Sequence, residues 1–227
     1  MADMVLDNIK AVIVDLDDTL YSEKEFVFSG FKAVSSYLQK TGIVKIELFD
    51  FMWNCFESGK SGKIFNDALK SENLEPEKEL VASLVEVYRL HKPNISPFPD
   101  AIPFLEKLYN KKMLGLLTDG YLTVQKNKVN ALGIEKYFDI IVYTDELGRN
   151  FWKPHKAGYE KIMNELSVSG KECLYVGDNP VKDFYSAKKL GWKTIRIKRP
   201  GGVYCDKEAA TEKFAADDVL ENLRQII

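Results

Sequence analysis

The sequence predicts an α/β fold, a doubly wound parallel sheet with an all-helical domain inserted after its first strand. Two observations carry this prediction. Short apolar runs alternate with helix-like stretches over most of the chain, and one long stretch has helical periodicity but no strand pattern. Alternating strands and helices are typical of parallel sheets covered by helices on both faces. The length of 227 residues suits one core domain with a small accessory domain.

The apolar runs are predicted as buried strands because each is short and ends at polar residues or glycine. They are Ala11–Val14, Met113–Leu117, Ile140–Tyr143, Leu174–Val176 and Thr194–Ile197. The intervening helices are predicted from proline before a helix and glycine after it. They cover Leu122–Leu132, Lys156–Leu166 and Val181–Leu190, and a last short helix is predicted over Asp217–Ile227.

The inserted segment has apolar residues at helical spacing, as in Phe28, Phe31 and Val34. The predicted bounds are 23–92 for the insert, and 1–22 with 93–227 for the core domain. Prolines from Pro93 onward are interpreted as a stiff linker that returns the chain to the core. We interpret the aromatic residues of the insert mainly as its own core. The alternative is that one or two of them line a substrate pocket.

Composition excludes several classes of function. The formal net charge of -2 argues against a protein that binds nucleic acid polymers or membrane surfaces through charge alone. The N-terminal sequence does not have the pattern of a signal peptide, and no apolar run approaches the roughly 20 residues that span a bilayer. The cysteines, 3 in number, lack the CxxC spacing of a zinc site. The sequence therefore predicts a cytoplasmic protein without nucleic-acid or membrane partners.

Polar residues follow the predicted strands, and in a parallel sheet the strand ends meet at one edge, where ligands bind. The residues are Asp15 and Asp17 after the first strand, Thr118 and Asp119 after the second, Lys153 beyond the third, and Asp178 with Asp183 after the fourth. Clustered carboxylates need a compensating cation, and oxygen ligands suit Mg²⁺. Asp15 can attack phosphorus as a nucleophile, while Asp17 is free to act as a general acid and then as a base.

The motifs DLDDTL, TDG, KP and GDNPVKD, in this order after successive strands, resemble the four motifs of the haloacid dehalogenase superfamily. The resemblance covers essentially the whole chain, and the inserted helices resemble the superfamily's C1 cap. Each motif alone is common, but four of them in order at strand ends are specific. One departure is Lys156 in KPHK, where many relatives have a second proline.

The resemblance implies a role for each matching residue. Asp15 corresponds to the nucleophile and a magnesium ligand, and Asp17 to the acid/base residue whose backbone carbonyl also binds the ion. Thr118 and Lys153 correspond to the phosphate-binding residues of the second and third motifs, and the backbone N–H of Asp119 is a further candidate. Asp178 corresponds to a magnesium ligand. Asp183 corresponds to a second acidic residue, which binds the ion through water or holds the site in place.

Neighbouring polar residues are interpreted as structural or solvated. Asp18 is expected to cap a turn, and His155 is expected to be a solvated loop residue. Lys60 and Lys63 are interpreted as a solvated pair, with the alternative that they reach the leaving group from the cap.

Asp17, two residues past the nucleophile, favours phosphoryl transfer, because related dehalogenases do not have an aspartate at that position. The expected activity is a phosphatase that hydrolyses a small phosphorylated metabolite, such as a nucleotide or a sugar phosphate, as a monomer or homodimer. A phosphomutase or phosphotransferase is the first alternative, although related mutases usually have glycine in place of Asp18. A non-catalytic binding module is the second alternative, and it would predict the decay of at least one motif. None has decayed.

Overall fold

The computed structural model describes residues 6–227, so Met1–Val5, at the start of the predicted core segment, lie outside the described residues. The chain forms two compact units. The first contains the residues up to Lys24 together with Ile95–Ile227, and the second is Glu25–Asn94. The second unit occupies the part of the chain where the insert was predicted, and its role as a cap stays a prediction.

A six-stranded parallel sheet forms the centre of the first unit, with the strand order β3-β2-β1-β4-β5-β6. The strands are Ala11–Val14 (β1), Met113–Thr118 (β2), Ile140–Tyr143 (β3), Cys173–Gly177 (β4), Lys193–Ile197 (β5) and Asp218–Leu220 (β6). The predicted doubly wound α/β fold and its first five strands are confirmed. All residues of β1 are buried, as expected for a central strand that helices cover on both faces.

The strand order reverses at β1, which lies between β2 and β4. In the register, Val14 at the end of β1 is level with Leu116 on one side and Val176 on the other. The connections that leave these three strands diverge, and a crevice opens at such a switch point. The topology therefore brings the residues that follow β1, β2 and β4 together.

Helices of the first unit cover the sheet. They are Ala101–Leu108 (α5), Leu122–Leu132 (α6), Ala157–Leu166 (α7) and Phe184–Lys189 (α8). Helix α6 ends where the sequence predicts, because Gly133 takes the left-handed conformation that stops a helix. Helix α5, which contains Pro103, was not predicted from the sequence. Pro103 lies in the first turn, where its missing N–H would have no helical partner anyway. Among residues 6–227, no helix combines the length and apolar character needed to cross a bilayer.

The predicted C-terminal helix over Asp217–Ile227 is wrong. Asp218–Leu220 forms the edge strand β6, and Leu223–Ile226 forms one turn of 3-10 helix. Short apolar segments do not distinguish strand from helix by periodicity alone. This segment forms a strand rather than a helix because it pairs in parallel with β5, with Ile197 level with Leu220.

Glu25–Asn94 folds around an apolar core of its own, and no strand is present between these residues, all of which the structure describes. Its helices are Glu23–Lys40 (α1), Phe49–Glu57 (α2), Ile64–Ser71 (α3) and Lys78–Leu90 (α4), the first of which begins in the preceding unit. Phe31 is buried and makes edge contacts with the rings of Phe56 and Phe65. These contacts agree with the interpretation of the aromatic residues as core.

A buried ion pair ties three distant parts of the first unit together. The Arg199 guanidinium lies 2.8 Å from Asp100 and donates a hydrogen bond of 3.0 Å to the carbonyl of Thr19. The same Asp100 oxygen accepts a bond of 2.7 Å from the backbone N–H of Leu223. The loop that follows β1, the start of α5 and the C-terminal segment therefore depend on one pair.

Replacing Arg199 by Met is expected to lower the free energy of unfolding by about 3–5 kcal/mol, because a buried Asp100 would lose its cationic partner. Urea denaturation followed by circular dichroism measures this loss. Lys161→Met is the matched control, since the side chains of Lys161 and Glu165 are 41% and 59% exposed. An exposed pair contributes about 0–1 kcal/mol. Equal losses in the two variants would contradict the importance of the buried pair.

Candidate active site

Three strand ends meet at the switch point of the sheet. Asp15 directly follows β1, Thr118 is the last residue of β2, and Asp178 directly follows β4. The backbone N–H of Asp15 donates to the carbonyl of Val176 at 2.8 Å, which continues the pairing of β1 with β4 beyond the end of β1. The backbone of the predicted nucleophile is thus fixed by its hydrogen bond to the neighbouring strand.

A cluster of buried carboxylates forms at this edge. One oxygen from each of Asp15, Asp178 and Asp183 lies within 4.8 Å of the others. Asp183 is held by the backbone N–H of Asn179, which donates to its Oδ2 at 2.8 Å. The predicted metal-binding residues Asp15, Asp178 and Asp183 are therefore brought together. The Asp17 side chain is not part of this cluster, and metal binding through its backbone carbonyl stays a prediction.

Lys153 is the cation inside the carboxylate cluster. Its Nζ lies 2.9 Å from Asp15 Oδ1 and 2.8 Å from Asp183 Oδ1, and it donates to the Tyr175 hydroxyl at 2.9 Å. Burial disfavours the charged form, but the carboxylates of Asp15 and Asp183 hold the pKa of Lys153 well above its usual value. The lysine is therefore a permanent positive charge beside the Asp15 carboxylate.

One buried lysine does not balance the carboxylates around it. Burial raises the pKa of Asp15 to about 6, although Lys153 opposes the shift. Burial and the neighbouring charges of Asp183 and Asp15 raise the pKa of Asp178 well above its usual value. Like charges at short range act in this way when no cation compensates them. The residues present therefore fit a hard divalent cation, because all the available ligand atoms are oxygen.

Asp17 lies in a different environment from Asp15, although only one residue separates them. Its Oδ1 is 2.6 Å from Lys128 Nζ and accepts a short hydrogen bond from the Tyr21 hydroxyl. Its Oδ2 accepts a bond of 3.0 Å from Gln125 Nε2. Burial acts to raise the pKa of Asp17, but Lys128 and these hydrogen bonds hold it below the usual value.

The two residues after Leu117 have different partners. Thr118 is fully buried, and its Oγ1 accepts a hydrogen bond of 2.5 Å from Gln125 Nε2. The Asp119 carboxylate accepts bonds of 2.7 Å from the Thr144 hydroxyl and 3.0 Å from the backbone N–H of Lys153. It also lies 3.2 Å from Lys182 Nζ. The Asp119 side chain therefore supports the loop that carries Lys153, and phosphate binding by its backbone N–H stays a prediction.

Asp18 and His155 make contacts expected of structural loop residues. The Asp18 carboxylate accepts bonds from the backbone N–H groups of Glu23 at 2.9 Å and Val203 at 2.7 Å. The exposed His155 ring accepts a bond of 3.1 Å from the backbone N–H of Ala157. Asp18 thus links the loop after β1 to the loop after β5.

Several residues of the site were not predicted from the sequence, among them Gln125, Lys128 and Lys182. Lys182 lies inside GDNPVKD, next to the predicted Asp183, and this position was the available signal. For Gln125 and Lys128, the signal was their three-residue spacing on a helix that follows TDG. Spacing alone did not indicate which side of the helix faces the sheet.

Comparison with known proteins agrees with the geometry. Residues 12–197 match the family described as haloacid dehalogenase-like hydrolase. Proteins named glyceraldehyde 3-phosphate phosphatase from Methanopyrus kandleri and Methanocaldococcus jannaschii are each 30% identical to the chain, and each alignment covers 96% of the chain and 96% of the relative. The crystal structure of a HAD phosphatase from Thermococcus onnurineus superposes with a TM-score of 0.62 at 26% identity, covering 96% of each chain. The chain belongs to the haloacid dehalogenase-like hydrolase family.

Proposed function

We propose that this protein is a magnesium-dependent phosphatase that hydrolyses a small phosphate monoester through an aspartyl-phosphate intermediate on Asp15. The main support is the separation of two carboxylates with different partners. Asp15 lies among Lys153, Asp178 and Asp183, and Asp17 is held apart from them by other donors. A nucleophile and an acid/base residue need such distinct environments.

In the first step, an oxygen of the Asp15 carboxylate attacks phosphorus, and the bond from phosphorus to the leaving oxygen breaks. Although burial opposes them, Lys128 and the neighbouring hydrogen bonds hold the pKa of Asp17 low, so Asp17 takes up a proton as the phosphate enters. It gives this proton to the leaving oxygen, so the alcohol leaves neutral and Asp17 becomes a carboxylate again. Lys153 offsets the negative charge of the phosphoryl group and of Asp15. Thr118 donates its hydroxyl hydrogen to a phosphate oxygen.

In the second step, the Asp17 carboxylate takes a proton from water, and the water oxygen attacks phosphorus. The bond between phosphorus and Asp15 breaks, which releases inorganic phosphate and restores the Asp15 carboxylate. Asp17 ends protonated, and it returns this proton to solvent when phosphate leaves and Lys128 again holds its carboxylate. The sum of the two steps is the hydrolysis of one ester by one water.

Asp15, Asp178 and Asp183 would hold Mg²⁺, with the backbone carbonyl of Asp17 as a further ligand. The raised pKa of Asp178 supports this assignment, since burial and the nearby charges of Asp183 and Asp15 disfavour its ionised form, and a bound cation would offset them. When bound, the ion supplies positive charge next to the phosphate and keeps the carboxylates ionised.

The first substrates to test are small phosphorylated metabolites, beginning with glyceraldehyde 3-phosphate. The relatives from Methanopyrus kandleri and Methanocaldococcus jannaschii are named for this substrate. Release of inorganic phosphate from this panel tests the function and separates hydrolysis from a mutase, which would move the phosphoryl group without releasing it. The same proposal includes a cytoplasmic location, which the free cysteines Cys55, Cys173 and Cys205 support, and a monomer or homodimer.

We expect activity to disappear in excess EDTA and to return when Mg²⁺ is added back. Asp178→Ala should raise the Mg²⁺ concentration needed for half-maximal activity, because one ligand is lost. The measurement is phosphate release against Mg²⁺ concentration, and Glu165→Gln, at a carboxylate whose side chain is 59% exposed, is the control. Full turnover in EDTA would contradict the metal requirement.

Asp15→Asn should abolish phosphate release from every substrate, because the amide is not a competent nucleophile. Asp17→Asn should slow hydrolysis of an alkyl phosphate by about 10²–10⁴, the usual contribution of general acid–base catalysis. The loss in the first step should be smaller with p-nitrophenyl phosphate, whose leaving group needs little protonation. Stopped-flow measurement of the first step on the two substrates gives this comparison, and equal losses in that step would argue against Asp17 as the acid.

We also propose that Glu25–Asn94 serves as a cap that closes over the site and sets substrate choice. Lys60→Met combined with Lys63→Met, at two exposed positions of this unit, tests one part of the idea. If these lysines meet the leaving group, relative rates across the metabolite panel change while the rate on p-nitrophenyl phosphate stays the same. An unchanged panel would leave both lysines as solvated residues.

A further inference from the structure

Helix α6 buries two polar side chains, Gln125 and Lys128. Their exposed fractions are 1% and 4%, and their spacing of three residues places them on the same side of the helix. A helix packed on a sheet normally buries apolar residues on that side. Burying an amide and an ammonium costs free energy unless each finds a partner, so the partners indicate why these residues are present.

Both side chains bind the Asp17 carboxylate, one at each oxygen. Lys128 Nζ lies 2.6 Å from Oδ1, and Gln125 Nε2 donates to Oδ2 at 3.0 Å. Donors at the two oxygens fix the rotation of the carboxylate as well as its position. One helix therefore sets the orientation of the proposed acid/base residue.

Gln125 also connects Asp17 to Thr118. Its Nε2 donates to Thr118 Oγ1 at 2.5 Å, and a primary amide nitrogen carries two hydrogens, one for each acceptor. The opposite orientation of the amide would place its oxygen against the Asp17 carboxylate. Because the Thr118 oxygen accepts this bond, the threonine keeps its own hydrogen for donation to a phosphate oxygen.

Gly120 leaves the space that Gln125 occupies. A Cβ at Gly120 would lie 3.0 Å from Cδ and Oε1 of Gln125, and the glycine has a φ of +134° that other residues rarely adopt. The glycine of TDG and the glutamine five residues later are therefore parts of the same arrangement.

We propose that Gln125 and Lys128 are positioning residues, which hold the Asp17 carboxylate and the Thr118 hydroxyl in fixed relation. The leaving oxygen then meets the Asp17 proton while Thr118 binds the phosphate. This inference rests on the proposed function, because it takes Asp17 as the acid/base residue. It extends the second motif from TDG to two residues of the following helix.

The first test compares Lys128→Met with Lys126→Met. Lys126 is on the same helix, but its side chain is 51% exposed and pairs with Glu146. With glyceraldehyde 3-phosphate, or another alkyl phosphate that the wild type hydrolyses, Lys128→Met should lower kcat about 10-fold or more, a part of the general-acid contribution. The first-step rate on p-nitrophenyl phosphate, measured as the burst of p-nitrophenol, should change little, and Lys126→Met should behave as wild type on both substrates.

The second test is a double-mutant cycle, which separates action through Asp17 from a general structural effect. Lys128→Met should cause no further loss of alkyl-phosphate activity in the Asp17→Asn background. Gln125→Ala should lower kcat in the same substrate-dependent way and also raise KM, because Thr118 loses its partner. If Lys128→Met does not fold, Lys128→Arg, which keeps the charge but not the geometry, and Gln125→Ala give the same comparison.

Equal losses in the first step on the two substrates, or additive losses in the cycle, would overturn the positioning role. A wild-type protein that releases no phosphate from any substrate would instead refute the proposed function. An active wild type whose Lys128→Met, Lys128→Arg and Gln125→Ala variants are as active as Lys126→Met would refute only the positioning role.

Discussion

The active site depends on a lysine buried between carboxylates. Lys153 Nζ lies within 3 Å of oxygens from both Asp15 and Asp183, at 2.9 and 2.8 Å, and its side chain is fully buried. Removing one partner of a buried ion pair typically costs about 3–5 kcal/mol, so these groups fix one another's positions. The lysine nevertheless leaves the cluster short of positive charge, because Asp178 adds a third carboxylate. An incoming phosphate would add more negative charge, and this shortage of positive charge is the physical basis of the proposed divalent cation.

The topology of the sheet gives Asp15 and Asp17 different partners. Asp15 meets residues that follow β3 and β4, among them Lys153 and Asp178. Asp17, two positions further along the loop, meets Gln125 and Lys128 of the helix that follows β2. Because β1 lies between β2 and β4, its loop reaches partners from both sides. One short loop therefore presents the proposed nucleophile and the proposed acid/base residue in different electrostatic environments.

The sequence predicted the parts that depend on strand ends. Asp15, Thr118 and Asp178 could be placed together because the carboxyl ends of parallel strands meet at one edge. The partners of Asp17 could not be predicted in this way. They lie on a mostly polar helix, and its sequence does not show which side of the helix faces the sheet.

The C-terminal segment shows the same limit. Asp218–Leu220 is short enough to read as strand or helix, and only the presence of a free edge on β5 decides between them. Long-range pairing of this kind is not encoded in local periodicity.

The most direct test of the account is the location of the phosphoryl group during turnover. Asp17→Asn protein mixed with p-nitrophenyl phosphate and Mg²⁺, quenched in acid and digested, should yield a phosphorylated peptide that contains Asp15. The adduct should accumulate because dephosphorylation lacks its base. Fragmentation by mass spectrometry assigns the modified residue. A phosphoryl group on Asp15 is the predicted result, and an adduct on any other residue would contradict the central claim.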